Sequence, residues 1–124
     1  MKKVIVSPLA PKAVGPYSQA IKLNGTVFVS GQLPVNPAVG TMPDSIEEQT
    51  RQSLTNIKAI LEEAGLEMGD IVKTTVLLDD IKNFTAMNAV YAEFFPIDKP
   101  ARVCYQVAAL PMGAKVEIDA VAGK

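Results

Sequence analysis

PARVCYQV, residues 100–107, is the stretch around which this chain is organised. Its polar and apolar residues alternate with the period of a β-strand, which puts Arg102 and Cys104 on one face. The run VEIDA, residues 116–120, alternates in the same way and carries Glu117. An arginine and a carboxylate on two strands either form a structural ion pair, or the guanidinium holds a small carboxylate ligand. The choice between these two arrangements decides the function.

Four further strands are predicted from short apolar runs. Val4–Val6 forms an edge strand that the following Ser-Pro pair ends. Ala20–Leu23 and Thr26–Ser30 flank an Asn-Gly pair, which is the strongest short-range signal for a hairpin with a type I′ turn. Ile71–Leu78 is rich in β-branched residues and, near its end, apolar at odd and even positions alike, which is typical of a strand covered on both faces. The chain therefore has six predicted strands.

Two helices are predicted between these strands. The first begins at Ser45, which forms a capping box with Glu48, and ends at Gly65 in the left-handed conformation. Its apolar stripe has helical spacing: Ile46, Leu54, Ile57, Ile60, Leu61 and Ala64. The second helix begins with Asn83 as its cap and ends at Pro96. We assign its apolar stripe to the core: Phe84, Met87, Tyr91 and Phe94 or Phe95.

The element order β-ββ-α-β-α-ββ predicts an α+β fold in a single domain, residues 1–124. We expect one mostly antiparallel six-stranded sheet with two helices on one face. The runs at 27–29 and 76–78 are apolar on both parities, so the second face of the sheet also needs a cover. We expect another copy of the chain to supply it, which predicts a homo-oligomer.

Composition and charge exclude several classes of protein. Twelve Lys and Arg against 13 Asp and Glu give a net charge of −1, and the interspersed charges argue against binding nucleic acid or an anionic membrane. The N-terminal apolar run is too short for a signal peptide or membrane span, which predicts a cytoplasmic protein. A single cysteine, Cys104, agrees with a reducing compartment. The absence of histidine removes the usual catalytic triads and the commonest metal ligand.

Several motifs, in this order, resemble the Rid family, also called YjgF, of reactive-intermediate enamine/imine deaminases. The likeness covers almost the whole chain. It is carried by GPYSQA (15–20), SGQLP (30–34), Asn56, VLLD (76–79), Met87-Asn88 with Tyr91 and Phe94-Phe95, PAR (100–102) with Cys104, Leu110-Pro111, and VEI (116–118). No single motif is decisive, but their combination is specific. Arg102 and Cys104, together with Glu117, look like the RidA-like subgroup that has deaminase activity.

The resemblance implies a chorismate-mutase-like fold assembled as a homotrimer, with clefts between subunits. It also implies hydrolysis of 2-imino acids, such as 2-iminopropanoate derived from 2-aminoacrylate and 2-iminobutanoate, to 2-keto acids and ammonia without a cofactor. By this likeness Arg102 holds the substrate carboxylate and Glu117 positions or activates a water. The backbone at Gly31 and Cys104 donates hydrogen bonds. The cleft is lined by Tyr17, Ser30 and Asn88, some of them from a neighbouring chain.

Other interpretations stay open at several of these positions. Glu117 could pair with a lysine or with Arg102 on a solvated strand face, and Tyr17 could merely cover the edge of the core. Asn88 could be an ordinary surface amide. Cys104 invites a nucleophile assignment, but without histidine its backbone amide is the better candidate. The same cleft would also suit a keto-acid-binding sensor or regulatory protein that performs no turnover.

Overall fold

The computed structural model describes residues 1–124, the whole of the given sequence. Its strands and helices follow the predicted order. The strands are β1 (Lys3–Ile5), β2 (Ala20–Leu23), β3 (Thr26–Gln32), β4 (Ile71–Leu78), β5 (Ala101–Gln106) and β6 (Val116–Gly123), and the helices are α1 (Ile46–Glu63) and α2 (Phe84–Phe94). Neither helix combines the length and the apolarity that crossing a bilayer requires.

The six strands form one sheet in the order β1-β2-β3-β6-β4-β5. β4 and β5 run parallel because α2 carries the chain back between them, whereas all the other neighbouring strands are antiparallel. The predicted α+β fold is therefore confirmed. β5, which carries Arg102, lies at one edge of the sheet and pairs only with β4.

The hairpin between β2 and β3 forms as predicted. Asn24 and Gly25 have φ of 50° and 81°, so both central residues of the turn occupy the left-handed region that a type I′ turn requires. β3 continues past Ser30 to Gln32, but its register against β6 shifts between Val29 and Gln32. This bulge lies beside the candidate site described below.

Helix α1 keeps both of its predicted ends. The Ser45 side chain accepts a hydrogen bond from the Glu48 amide at 3.1 Å, although the Glu48 carboxylate pairs with Arg51 rather than returning to the cap. Gly65 has φ of 81°, and the Leu66 amide donates to the Leu61 carbonyl at 2.8 Å, as expected for a Schellman-type end. All six residues of the predicted apolar stripe are buried.

Polar residues on α1 hold the loop that follows β3, a role that the apolar pattern did not predict. Ser53 donates to the Gln32 carbonyl at 3.0 Å, and Asn56 donates to the carbonyls of Leu33 and Val35 at 3.2 and 2.9 Å. Both side chains are fully buried. Since buried polar groups that keep their partners fix a backbone in one arrangement, this loop has a defined position.

One prediction about α2 is wrong and another is confirmed only in part. Asn83 is the N-cap residue, as predicted, but its side chain makes no capping hydrogen bond, because a 3₁₀ turn at residues 81–83 precedes the helix and Asp80 caps that turn through the Lys82 amide at 2.9 Å. Phe84 does not belong to the core, since it is 37% exposed. Met87 and the other predicted aromatic positions are buried or partly buried, as expected.

The two faces of the sheet differ in their cover. The helix face packs against α1 and α2 and contains the core, whereas the opposite face, called the open face here, has no cover within the chain. Apolar side chains remain exposed there: Phe28 is 49%, Val103 43% and Tyr105 49% exposed. The chain therefore covers one face of β4 and leaves the other uncovered, as expected from the apolar pattern.

Candidate active site

Arg102 and Glu117 lie on opposite faces of the sheet. Arg102 is the β5 partner of Thr74 in β4. The Thr74 hydroxyl contacts Tyr91 of α2, so the arginine lies on the helix face. Glu117 pairs with Leu77 and alternates with the buried Val116, so it lies on the open face. The two side chains form no ion pair within one chain, since both salt bridges of the chain involve Arg51.

The Arg102 pocket is built by β5 and α2. Nη1 of Arg102 donates to Oδ1 of Asn88 at 2.7 Å, which is the only protein hydrogen bond of this side chain. The centre of the guanidinium lies 4.8 Å from the Tyr91 ring centroid and 5.5 Å from that of Phe84. The guanidinium is therefore half-buried, held in place, and free of any carboxylate partner.

Cys104 follows Arg102 on the same face of β5 and packs against the core. Burial raises the pKa of its thiol, and the neighbouring Arg102 lowers it by a smaller amount. A thiol with a raised pKa is a poor nucleophile at neutral pH.

The backbone amide of Cys104 is better placed to act on a ligand. The Val107 amide donates to the Leu78 carbonyl at 2.8 Å, and Leu78 is paired with Gln106. Since ladder hydrogen bonds alternate along a strand, residues 103, 105 and 107 bond to β4. The Cys104 amide therefore points outward, toward the free edge of the sheet, as does that of Arg102.

Glu117 lies in a separate cavity of about 870 Å³ on the open side, called the Glu117 cavity here. Three more of the predicted site residues line it: Tyr17, Ser30 and Gly31. Its other walls are largely apolar and come from the N-terminal loop and the loop after β3. The structure thus divides the predicted residues into two groups. One group lines the Glu117 cavity, and the other, at the Arg102 pocket, consists of Arg102, Asn88 and Cys104.

Gly31 lies directly against the Glu117 carboxylate. A Cβ atom at position 31 would overlap Oε2 of Glu117 and would lie 3.0 Å from its Cδ and 3.3 Å from its Cγ. The backbone at Gly31 is not left-handed, so the close approach, and not the conformation, excludes a side chain here. Gly31 lies where the register of β3 against β6 shifts.

The Glu117 carboxyl has a raised pKa. Burial is the larger cause, and the like charge of Asp119, two residues along β6, adds to it. Asp119 accepts a hydrogen bond from the Thr75 amide at 2.9 Å. A carboxyl group whose pKa is moved toward neutrality is suited to accept and return a proton.

The other two predicted side chains in the Glu117 cavity are those of Ser30 and Tyr17. The Ser30 hydroxyl donates to the Ser18 carbonyl at 2.6 Å, so its proton is engaged, although its oxygen can still accept. Tyr17 lines the Glu117 cavity and is 50% exposed. No group of three or more His, Cys, Asp or Glu side chains is arranged to hold a metal ion.

Sequence reasoning assigned Tyr91 and Phe84 to the core and connected neither with Arg102, although both rings contact its guanidinium. Their spacing could have signalled a second role. Both lie on the α2 side that carries Asn88, at positions 84, 88 and 91, which are neighbours on a helix surface. That side faces the strand with Arg102.

Comparisons with known proteins agree with this fold. The model of the endoribonuclease L-PSP family matches residues 7–124. The 2-iminobutanoate/2-iminopropanoate deaminase of Escherichia coli is 49% identical over 98% of this chain and 98% of its own. A Rid-family protein of Yersinia pestis, YyfA, is 48% identical, with a TM-score of 0.97 over all of both chains. The structure of Escherichia coli TdcF with bound serine is 46% identical, with a TM-score of 0.96 over 98% of both chains.

The family match covers nearly the whole chain, and the related proteins align along their full length. The motifs that carried the resemblance are therefore part of one shared fold. This chain belongs to the Rid/YjgF family, the family of the endoribonuclease L-PSP model.

Proposed function

We propose that this protein is a Rid-family deaminase that hydrolyses 2-imino acids, such as 2-iminobutanoate and 2-iminopropanoate, to 2-keto acids and ammonia without a cofactor. The observation that carries the proposal is the Arg102 guanidinium, which is held in place yet has no acidic partner. Such a group is ready to bind a small carboxylate through two parallel hydrogen bonds. The name of the 49%-identical Escherichia coli relative supports the same substrate class.

The reaction needs orientation and proton transfer more than it needs a strong nucleophile. A C=N bond next to a carboxylate is electrophilic, so a positioned water can add to its carbon. The new C–O bond forms as the C=N π bond breaks, and one proton of the water passes to Glu117. Glu117 returns this proton to nitrogen, and the hydroxyl proton follows it to nitrogen as the C=O bond of the keto acid forms and the C–N bond breaks to release ammonia. Glu117, with its raised pKa, can take and return that proton.

The site is completed, in this proposal, between two copies of the chain in a homotrimer. Arg102 and Glu117 cannot meet on one small molecule while they lie on opposite faces of one sheet. The free β5 edge carries Arg102 and the outward amide of Cys104, and the open face exposes apolar residues that a second copy would cover. Sedimentation at micromolar concentration tests this step, and a stable monomer contradicts it.

The structure of TdcF with bound serine supports a ligand with an amino-acid-like carboxylate, since that relative shares the fold at a TM-score of 0.96. Gly31 and Cys104 would add backbone donors to the grip of Arg102. The cleft around the substrate would be lined by Tyr17 and Ser30 from the Glu117 cavity and by Asn88 from the Arg102 pocket.

A coupled assay tests the activity. A threonine or serine dehydratase generates the imine, and the rate of its disappearance is measured with and without this protein. Arg102→Ala should lower kcat/KM roughly 10- to 150-fold, since a charged hydrogen bond contributes about 1.5 to 3 kcal/mol. Arg51→Ala is the matched control, because Arg51 pairs on the surface with Glu93. Unchanged turnover in Arg102→Ala contradicts the proposal, and keto-acid binding without turnover favours the sensor.

RNA cleavage is the weaker candidate, although the matched family model carries an endoribonuclease description. The net charge of −1 gives no general attraction for a polyanion, and the chain has no histidine. RNA degradation that survives purification and is lost in Arg102→Ala would support it instead.

A further inference from the structure

We infer that Tyr91 and Phe84 are positioning residues, whose ring faces orient the Arg102 guanidinium toward the carboxylate of a 2-imino or 2-keto acid. The inference rests on the proposed function, in which Arg102 binds that carboxylate. It adds the two side chains that hold Arg102 ready before the ligand arrives.

The guanidinium is contacted by two aromatic rings, of Tyr91 and Phe84, and by the side-chain amide of Asn88. Its centre lies 4.8 Å from the Tyr91 ring centroid and 5.5 Å from that of Phe84, both within the roughly 6 Å at which a cation is attracted to a ring face. Asn88 accepts from Nη1 at 2.7 Å. Nε and Nη2 make no hydrogen bond within the chain, so one edge of the planar group remains available for a carboxylate.

Tyr91 is itself fixed from two sides. Its hydroxyl forms a 2.7 Å hydrogen bond with the buried hydroxyl of Thr74, and its ring packs against Phe95 with centroids 4.7 Å apart. Tyr91 is only 6% exposed. Its ring is therefore a rigid surface for Arg102. Phe84, at 37% exposed, approaches the guanidinium from the more open side of the pocket.

Aromatic rings hold a cation in a way that an acidic residue would not. A glutamate beside Arg102 would also fix its position, but it would neutralise the charge and occupy the donors that a ligand needs. A ring face attracts the cation electrostatically and leaves its N–H groups unoccupied. Since no carboxylate of this chain pairs with Arg102, the two rings and Asn88 are the contacts that hold its unneutralised guanidinium.

Calorimetric titration with 2-oxobutanoate, the product-type keto acid, tests the inference on the intact assembled protein. Phe84→Leu keeps apolar volume but removes the ring face, and should weaken binding about 2- to 5-fold, whereas Tyr91→Leu should weaken it about 5- to 30-fold. Tyr91→Phe keeps the face and should stay within about twofold of the wild type. Phe94→Leu is the matched control, since Phe94 lies on the same helix and packs against the core.

A merely structural role would lower the melting temperature without changing the dissociation constant, so both are measured for every variant. In an Arg102→Ala background, Phe84→Leu should cause no further loss of binding. If Arg102→Ala itself binds 2-oxobutanoate like the wild type, the proposed function fails. If Arg102→Ala weakens binding but Phe84→Leu and Tyr91→Leu match Phe94→Leu, only the positioning role fails. Should Tyr91→Leu not fold, Phe84→Leu alone decides.

Discussion

Arg102 lies on the helix face of the sheet against two aromatic rings, whereas Glu117 lies on the open face against a glycine. The arginine is held by side chains that touch it, while the glutamate occupies space that a missing side chain leaves free. A change in the Arg102 pocket therefore removes attractive contacts. A change at Gly31 adds a repulsive one, which should move a carboxylate while leaving the fold intact.

After Arg102→Ala, the largest effect is expected from Arg102→Lys, which tests whether the shape of the guanidinium or its charge alone matters in the Arg102 pocket. Lysine keeps the positive charge but loses the planar fork and the stacking surface. We expect kcat/KM in the coupled assay to fall roughly 10- to 100-fold, close to the loss in Arg102→Ala. Arg51→Lys provides the control at an exposed ion pair. Near-normal activity of Arg102→Lys would mean that charge alone suffices.

Gly31→Ala tests the other side of the comparison. The added methyl overlaps the end of a flexible side chain, so the Glu117 carboxylate should move and the protein should stay folded. Because small displacements of a reacting group are costly, we expect a loss of about tenfold in kcat/KM. The melting temperature should change little, since the backbone at position 31 suits alanine.

Two controls separate this effect from others. Gly69→Ala places a methyl no closer than 3.8 Å to its neighbours and should leave activity unchanged. In a Glu117→Ala background, Gly31→Ala should cause no further loss, because no carboxylate remains to be displaced. An equal loss in both backgrounds would show that the methyl acts on something other than the Glu117 carboxylate.

A smaller effect is expected from Asp119→Asn. The proposed base must be ionised, so kcat/KM should fall as the pH falls through the pKa of Glu117. The fall of kcat/KM on the acid side of the pH profile is called the acid limb here. Burial and Asp119 raise the pKa of Glu117, which moves the acid limb toward neutrality. Removing the Asp119 charge should shift the limb to lower pH and raise the rate slightly below neutrality. The other titratable side chains that line the Glu117 cavity are Lys12 and Tyr17, and the Asp119→Asn substitution leaves both in place.

The pH dependence of kcat/KM measures this shift, and Glu117→Gln serves as the reference because it has no titrating group at that position. The limb should be absent in Glu117→Gln. A limb that stays in place in Asp119→Asn, or that survives in Glu117→Gln, would assign the titration to another group.

Cys104→Ser should have the smallest effect. The thiol has a raised pKa and no base beside it, and the outward amide of Cys104 is unaffected by the substitution. We expect kcat/KM within about twofold of the wild type, since the serine hydroxyl replaces the thiol at similar size. Complete inactivation, measured at the same protein concentration, would restore the nucleophile assignment.

The elements were predictable because their signals are local. The Asn-Gly pair at 24–25, the cap at Ser45 and the glycine at 65 each determine the conformation of a few neighbouring residues. Asn83 takes the predicted N-cap position without a capping hydrogen bond, because Asp80 caps a 3₁₀ turn that directly precedes the helix. Such boundaries depend on competition between adjacent turns, which a short pattern does not resolve.

The two-sided arrangement of the site could not be predicted in the same way. Alternation tells which residues of one strand share a face, and it did so correctly for Arg102 and Cys104. It does not tell which face of β5 corresponds to which face of β6, because that depends on the register of both strands against β4. Phe84 was misassigned for a related reason, since an aromatic stripe does not reveal a cation on the neighbouring strand.

The placement of Arg102 and Glu117 on opposite faces has a genetic consequence if two copies build each site. A defect in the arginine of one polypeptide and a defect in the glutamate of another would harm different halves of the shared cleft. Mixed assemblies would then contain some clefts with both halves intact. Two individually inactive alleles could complement each other, which a catalyst confined to one polypeptide would not permit.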